Sequence, residues 1–217
     1  DFIIEFGTFD ECQFNEADIN RDGSLNILDV LVIVDWILND SAPFAYDIDG
    51  NIYNIIEIGN QSWLKQNLKV THYRNGDEIP TGYSDSEWSD LSTGVYAVYD
   101  DDYNIYGNLY NWYAVDNSAG LCPTGWQVPS DSAWTVLESY LEANGYNYDG
   151  STSGNNYAKA MADTVLWNSH TGAGTVGNTD YPTYRNKSGF SGLPGGYRSN
   201  FGNFSGVGDY GYWWSSP

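Results

Sequence analysis

Glycine punctuates this chain at short intervals, with aromatic residues between. The 24 Gly stand among 19 Tyr, 9 Trp and 8 Phe. Glycine supplies the positive φ angles of tight turns, and aromatic side chains favour the pleated, half-buried surface of strands. The mixture reads as many short strands joined by turns, a texture typical of extracellular β-rich modules. At 217 residues and 41% hydrophobic content, the chain is long enough for one good-sized domain with a real core and a small appendage.

Charge narrows the partners. Eight Lys and Arg against 29 Asp and Glu give a net charge of −21, which repels nucleic-acid phosphates and anionic lipid. Hard cations suit such a chain, because carboxylate and carbonyl oxygens are their preferred ligands. The longest apolar run is Val30-Leu31-Val32-Ile33-Val34, far short of the roughly 18 residues a membrane helix needs, so membrane insertion is not expected. The opening "DFIIEF" has no Met and no basic segment. The expected settings are a secreted chain after removal of a signal peptide, or a start inside a longer protein.

The stretch "DINRDGSLNILD", residues 18–29, has the oxygen spacing of a calcium loop. Asp18, Asn20 and Asp22 alternate, Gly23 permits the sharp turn, Ser24 stands where a backbone carbonyl serves, and Asn26 and Asp29 complete the set. A chain wrapped around an ion returns an oxygen at about every second residue, so the alternation follows from coordination geometry. Ile27, Leu31, Val34 and Leu38 then recur at helical spacing, and the helix ends at Asn39-Asp40-Ser41-Ala42-Pro43. This loop and helix resemble a single dockerin-type calcium repeat, whose twelfth ligand is Asp. No second repeat follows, so the resemblance implies Ca2+ binding but not cohesin docking. A turn without metal is the alternative.

The expected boundary falls after Pro43, dividing residues 1–43 from 44–217. Beyond it, "NIYNIIEIG", "SWLKQNLKVTHY", "GVYAVYD" and "NIYGNLYNWYAV" read as strands with turns between them. "SDSAWTVLESYLEANG" reads as a helix: Ser130 or Asp131 caps it, Trp134, Leu137, Tyr140 and Leu141 share a face, and Gly145 stops it. "NNYAKAMADTVLW" is a weaker helical segment.

Four blocks in order carry a wider resemblance: "DIDGNIYNIIEIGNQSWLKQNLKVTHYRNGDEI", "YGNLYNWYAV", "LCPTGWQVPSDSAWTVLESYL" and "GFSGLPGGYRSNFGNFSGVGDYGYWWSS". Together they resemble the Fibrobacter succinogenes major paralogous domain over about residues 47–216. The resemblance implies a relation to the C-type lectin fold, hence an α+β class: a C-type-lectin-like domain of short strands and one or two helices, preceded by a small N-terminal calcium loop-helix unit. It also implies a secreted bacterial protein of ill-defined molecular role. The resemblance implies a continuation past Trp-Trp-Ser-Ser into further strands that end near a cysteine able to partner the one in "LCPTGW". For this chain the expectation is a fragment, or a strand supplied from elsewhere.

The apolar segment Phe2-Ile3-Ile4-Glu5-Phe6 is the candidate donor. Added to the sheet of the next subunit, it would grow a head-to-tail homopolymer; covering the chain's own core is the alternative. Cys12 and Cys122 permit one disulfide, two free thiols being equally compatible with the sequence.

Catalysis finds little support. His72 and His170 fit no metal-ligand spacing, and no nucleophile pattern is visible. The run Asp100-Asp101-Asp102 is a candidate second cation site, as are Asp47 and Asp49; solvated turns are the alternative. Tyr210, Tyr212, Trp213 and Trp214 are candidates to stack on a glycan, whereas the resemblance implies that the Trp pair fills the core. Arg198 is expected to pair with a neighbouring carboxylate. Asn39, Asn60, Asn186 and Asn203 begin glycosylation triplets. The sequence thus points to a non-catalytic, extracellular, calcium-binding structural or adhesion module of a bacterial surface or matrix protein, with a self-assembling fibre subunit and a carbohydrate-binding receptor as alternatives.

Overall fold

The computed structural model describes residues 44–99 and 103–216, together with Ile27 and Val30, whose backbone is helical. The chain divides into two units, Asp1–Pro43 and Phe44–Pro217. Among the described residues the second unit is α+β: three small antiparallel sheets and five short helices.

The first sheet, ordered β1 (Phe44–Tyr46), β2 (Ile52–Ile58) and β3 (Gln61–Leu64), is a meander. Its first turn is organised by Asp47, whose Oδ1 accepts the amides of Asp49 and Asn51 while Oδ2 accepts the Asn51 side-chain amide and the Tyr53 hydroxyl. The second is the two-residue turn Gly59-Asn60, closed by the Ile58–Gln61 pair. Gly59 has φ 64°, as primed hairpin turns require. A Cβ there would stand 2.8 Å from the Tyr140 ring, so this glycine also lets the hairpin lie against a helix.

That helix is α4, which follows α1 (Asp85–Ser89), α2 (Tyr103–Tyr106) and α3 (Trp112–Val115) in the chain and spans Asp131–Ala143. The Ser130 hydroxyl caps it by accepting the Ala133 amide at 3.2 Å, which satisfies one of the donors that every helix start leaves unpaired. Leu137 and Leu141 are fully buried and form one core with Ile58, Trp63 and Phe190. Burial of each leucine contributes about 1.5–3 kcal/mol. Separate clusters centre on Val70, Tyr73, Ile79 and Leu121, and on Trp88, Val95 and Ala97.

The remaining sheets are ribbons: β4 (Tyr96–Ala97) with β5 (Leu109–Tyr110), and β6 (Gly195–Arg198) with β7 (Phe204–Val207). In β6, Gly196 has φ 62° and turns its amide away from β7 to donate to Tyr210 O at 2.9 Å. A Cβ on it would meet Ser205 O at 2.4 Å.

Several expectations need correction. "NIYGNLYNWYAV" contains α2, the two residues of β5 and α3 rather than one strand, because Asn111 Oδ1 accepts both the Ala114 and Val95 amides, capping a helix and tying it to β4. "SWLKQNLKVTHY" is strand only as far as Leu64, with an isolated bridge from His72 to Glu78 further on. "NNYAKAMADTVLW" yields the single turn α5 (Ala158–Met161). The helix predicted at 130–145 forms as Asp131–Ala143, and Gly145 follows it at φ 70°.

α5 ends where the backbone turns extended at Ala162 and bridges to Gly192, and within it stands Lys159. Only 1% exposed, its ammonium donates to Asn178 O at 2.6 Å, Asp180 O at 3.0 Å and Asp180 Oδ1 at 2.8 Å. All three protons of the ammonium are therefore used. Asp180 Oδ2 in turn accepts the Gly174 amide at 2.9 Å, so one buried cation pins the loop 172–180.

Candidate functional site

A cleft of about 980 Å³ opens among segments far apart in sequence. Three strands border it, β3, β5 and β6, together with the turn before α4 and the 212–214 segment. Six of the nine tryptophans stand on its walls: Trp63, Trp88, Trp126, Trp134, Trp213 and Trp214. Its lining contains no carboxylate and no histidine, and its cations are Lys65 and Arg198.

Aromatic contacts give the walls their shape. Trp63 and Trp134 stand 4.8 Å apart between ring centroids, and Phe190 meets both edge-on. Trp213 meets Phe190 from the other side at 5.9 Å. Its close approach depends on small neighbours: Cβ atoms on Gly192 and Gly211 would lie 3.1 and 2.4 Å from its ring. The indole N–H groups then fasten the segment: Trp213 donates to Asn67 Oδ1 at 2.9 Å, Trp214 to Tyr110 O at 2.8 Å, and Trp134 to Trp214 O at 3.2 Å. Ser216 extends the contact along Pro129 and Val128. Trp213 and Trp214 nevertheless stay 40% and 44% exposed, and Tyr210 and Tyr212 more so. The expectation of core filling therefore fails: these rings are wall and rim.

Three polar atoms on lining residues have no hydrogen-bond partner: Gln61 Oε1, Trp63 Nε1 and Asn108 Oδ1. Trp63 is 9% and Asn108 8% exposed. A buried polar atom left without a partner costs about 1–3 kcal/mol, so these atoms are a local stability cost within the cleft wall.

Arg198 is held as expected, and more tightly. Its guanidinium lies 4.2 Å over the Trp88 ring and 4.9 Å from that of Phe204, and it donates to Gly202 O, Tyr83 O and Asp85 Oδ1, the last at 3.4 Å. With its Nε and one terminal nitrogen committed, it braces β6 and α1.

Cys122 also lines the cleft. It is a buried free thiol; its candidate disulfide partner Cys12 lies outside the described residues. Burial, partly opposed by Arg74, pushes the Cys122 thiol up to about 11. The group is thus protonated near neutral pH and a poor nucleophile.

Of the other sequence-predicted sites, the described Asp47 and Asp49 are not brought to the cleft. Asp18, Asn20, Asp22, Ser24, Asn26 and Asp29, the run Asp100-Asp101-Asp102, and Phe2 to Phe6 all lie outside the described residues. Asp47 and Asp49 are occupied by protein hydrogen bonds. Besides the Asp47 bonds above, Asp49 Oδ2 accepts the Thr71 amide and hydroxyl, and its Oδ1 meets His72 Nδ1 at 2.6 Å. Burial raises the Asp49 carboxyl, but the Thr71 amide, His72 and the Thr71 hydroxyl together carry it below its ordinary value. Among the described residues, no three His, Cys, Asp or Glu side chains gather to hold a metal. Asn186 is not a free glycan acceptor, since its amide exchanges two bonds with Ser191. No helix among the described residues is long and apolar enough to cross a membrane.

Gln61, Trp63, Asn108 and Lys159 were not singled out from sequence. No local pattern marks them, because their neighbours come from distant segments.

Neither the curated proteins nor the solved structures contain a match to this chain. The family model described as the Fibrobacter succinogenes major domain matches residues 56–217, a span that includes every cleft-lining residue. On that match the protein belongs to the Fibrobacter succinogenes major domain family.

Proposed function

We propose that this protein is a non-catalytic extracellular adhesion module of a bacterial surface or matrix protein, whose C-type-lectin-like domain binds its ligand in the tryptophan-walled cleft. The observation that carries this reading is the composition of the cleft. General acid–base chemistry needs a titratable group within reach of the reacting atoms. The lining offers no carboxylate or histidine and a thiol held protonated, and its remaining titratable groups, Lys65, Arg198 and four tyrosines, have no acid in the lining to pair with. Aromatic walls with a few convergent polar atoms are what a binding site requires. A helix packed on small antiparallel sheets, with long loops between, supports the lectin-like assignment of the fold.

In the same reading the N-terminal unit is a dockerin-like calcium loop. Asp18, Asn20, Asp22, Asn26 and Asp29 supply side-chain oxygens and Ser24 a carbonyl, a donor set suited to Ca2+. The bound ion would stiffen that unit. Isothermal titration with CaCl2 should give one site that Asp22→Ala abolishes; an unchanged isotherm would end the assignment.

For the cleft, the protein is screened against a glycan array and a displayed library of extended peptides. Ligands from either source should bind Trp214→Ala and Tyr212→Ala at least about tenfold more weakly, the usual effect of removing a central aromatic contact. Failure of both libraries, or ligands indifferent to both substitutions, would refute the binding reading.

A further inference from the structure

Resting on that reading, we infer that a second pocket, joined to the cleft, holds the negative group of an acidic sugar, so that the ligand is a glycan carrying its acid singly.

Among the described residues, Lys159 and Arg198 have ion pairs, and Arg74, Arg185 and Lys187 donate to the carbonyls of Cys122, Thr164 and Gly145. Lys65 and Lys69 remain, both half-buried and neither with a side-chain hydrogen bond or ion pair among the described residues. Both line one pocket of about 290 Å³. Withdrawing a charge from water without a partner is costly, and a bound anion offsets that cost through charge-assisted hydrogen bonds.

The frame of this pocket is fixed by the backbone. The Lys65 amide donates to Asn54 O at 2.9 Å and the Lys69 amide to the Tyr53 hydroxyl at 3.1 Å. Between them Asn67 Nδ2 donates to Tyr106 O at 2.9 Å. Gly107 closes one side at φ 74°, where a Cβ would meet Leu68 O at 2.7 Å. Asp163 is the one acid among the described lining residues, and its Oδ1 accepts the Val165 amide. Two ammonium groups against one carboxylate leave a single positive charge in excess, which suits a single anionic group.

Continuity with the cleft defines the rest of the ligand. Lys65, Gln66, Asn67 and Leu193 line both cavities. Asn67 Oδ1 also accepts the Trp213 indole N–H at 2.9 Å, which ties that partly exposed ring to the pocket wall. An acidic sugar matches this arrangement: a C–H face packs on an aromatic ring, hydroxyls meet side-chain amides, and one substituent is anionic. Only Leu193 of the four shared residues is apolar, so the passage suits hydroxyls better than the apolar side chains of a peptide. The net charge of −21 repels a polyanion, so the acid stands alone on an otherwise neutral glycan.

Titration calorimetry in about 0.15 M NaCl, where distant acids are screened, compares glucuronic-acid-terminated and sulfogalactose-terminated oligosaccharides with their neutral parents. The two arms separate a carboxylate from a sulfate ester. At least one acidic form should bind about tenfold more tightly than its parent, as charge-assisted contacts allow. Lys65→Met with Lys69→Met should erase that advantage and leave the neutral parent's affinity unchanged. Asp163→Asn, which keeps the acceptor for Val165, should tighten binding of the acidic form about threefold. Glu57→Gln, the same change of charge outside both cavities, should not. Equal affinity for acidic and neutral forms, an advantage that survives loss of both lysines, or an Asp163→Asn effect no larger than that of Glu57→Gln overturns the inference while leaving the cleft a binding site. Tighter binding of an acidic library peptide through the same lysines overturns it too. Absence of any glycan binding also overturns it, and the cleft reading falls with it if no library ligand depends on Trp214 or Tyr212.

Discussion

Replacing Lys159 by Met isolates the contribution of one buried cation. The side chain is 1% exposed and its ammonium makes three hydrogen bonds, two to backbone carbonyls and one to Asp180. Met retains most of the aliphatic volume, so cavity formation is small and polar loss dominates. Removing one partner of a buried ion pair costs about 3–5 kcal/mol. Asp180 keeps 27% of its side chain exposed, so water recovers part of its solvation and the lower end applies. Stranding the two carbonyls keeps the total near about 3–4 kcal/mol. For a domain of this size, each kcal/mol shifts the melting temperature by about 2–4 °C, so a fall of roughly 10 °C is expected. Scanning calorimetry measures it directly. Asp180→Asn in the Lys159→Met background should be less damaging than in the wild type, since the carboxylate has already lost its cation. A Lys159→Met midpoint within about 2 °C of wild type would refute the clamp, because the loss would then be under about 1 kcal/mol.

Three further outcomes follow from the structure. Asp49 titrates below its ordinary value in the folded protein, so its contribution is present above the unfolded pKa of about 3.9 and is lost as pH falls through the lower folded value. Asp49→Asn should therefore lower the melting temperature at pH 7, and the gap should close on acidification below about pH 4; a gap independent of pH would contradict this. Gly59→Ala places a methyl 2.8 Å from the Tyr140 ring at φ 64° and should cost about 1–3 kcal/mol in urea unfolding, by strain at a turn that needs positive φ plus overpacking. Cys122, raised to about 11 by burial, should resist iodoacetamide at pH 7 and react only after denaturation, as mass spectrometry would read; rapid native labelling would show the thiol to be more accessible than its burial implies.

Sequence by itself determined the elements whose causes are local. In α4, a capping serine, an apolar face and a stop glycine are all contiguous, and the helix stands where they place it. The hairpin at Gly59-Asn60 needs only a turn residue between two apolar runs. The family, too, was legible, because its blocks are separate words in one order. Local preference misled where a distant partner outweighed it. The aromatic stretch 104–115 has strand propensity, yet Asn111 accepts from both Val95 and Ala114 and turns part of it into helix. A lysine reads as surface, yet Lys159 is buried, because carbonyls some twenty positions on return to meet it. The cleft is the extreme case. Gln61, Trp63, Asn108 and Trp213 carry no shared pattern, and only long-range packing brings them to one cavity. Spacing encodes what a few neighbouring residues can satisfy among themselves; groups whose partners lie tens of residues away acquire a role only when the chain closes around them.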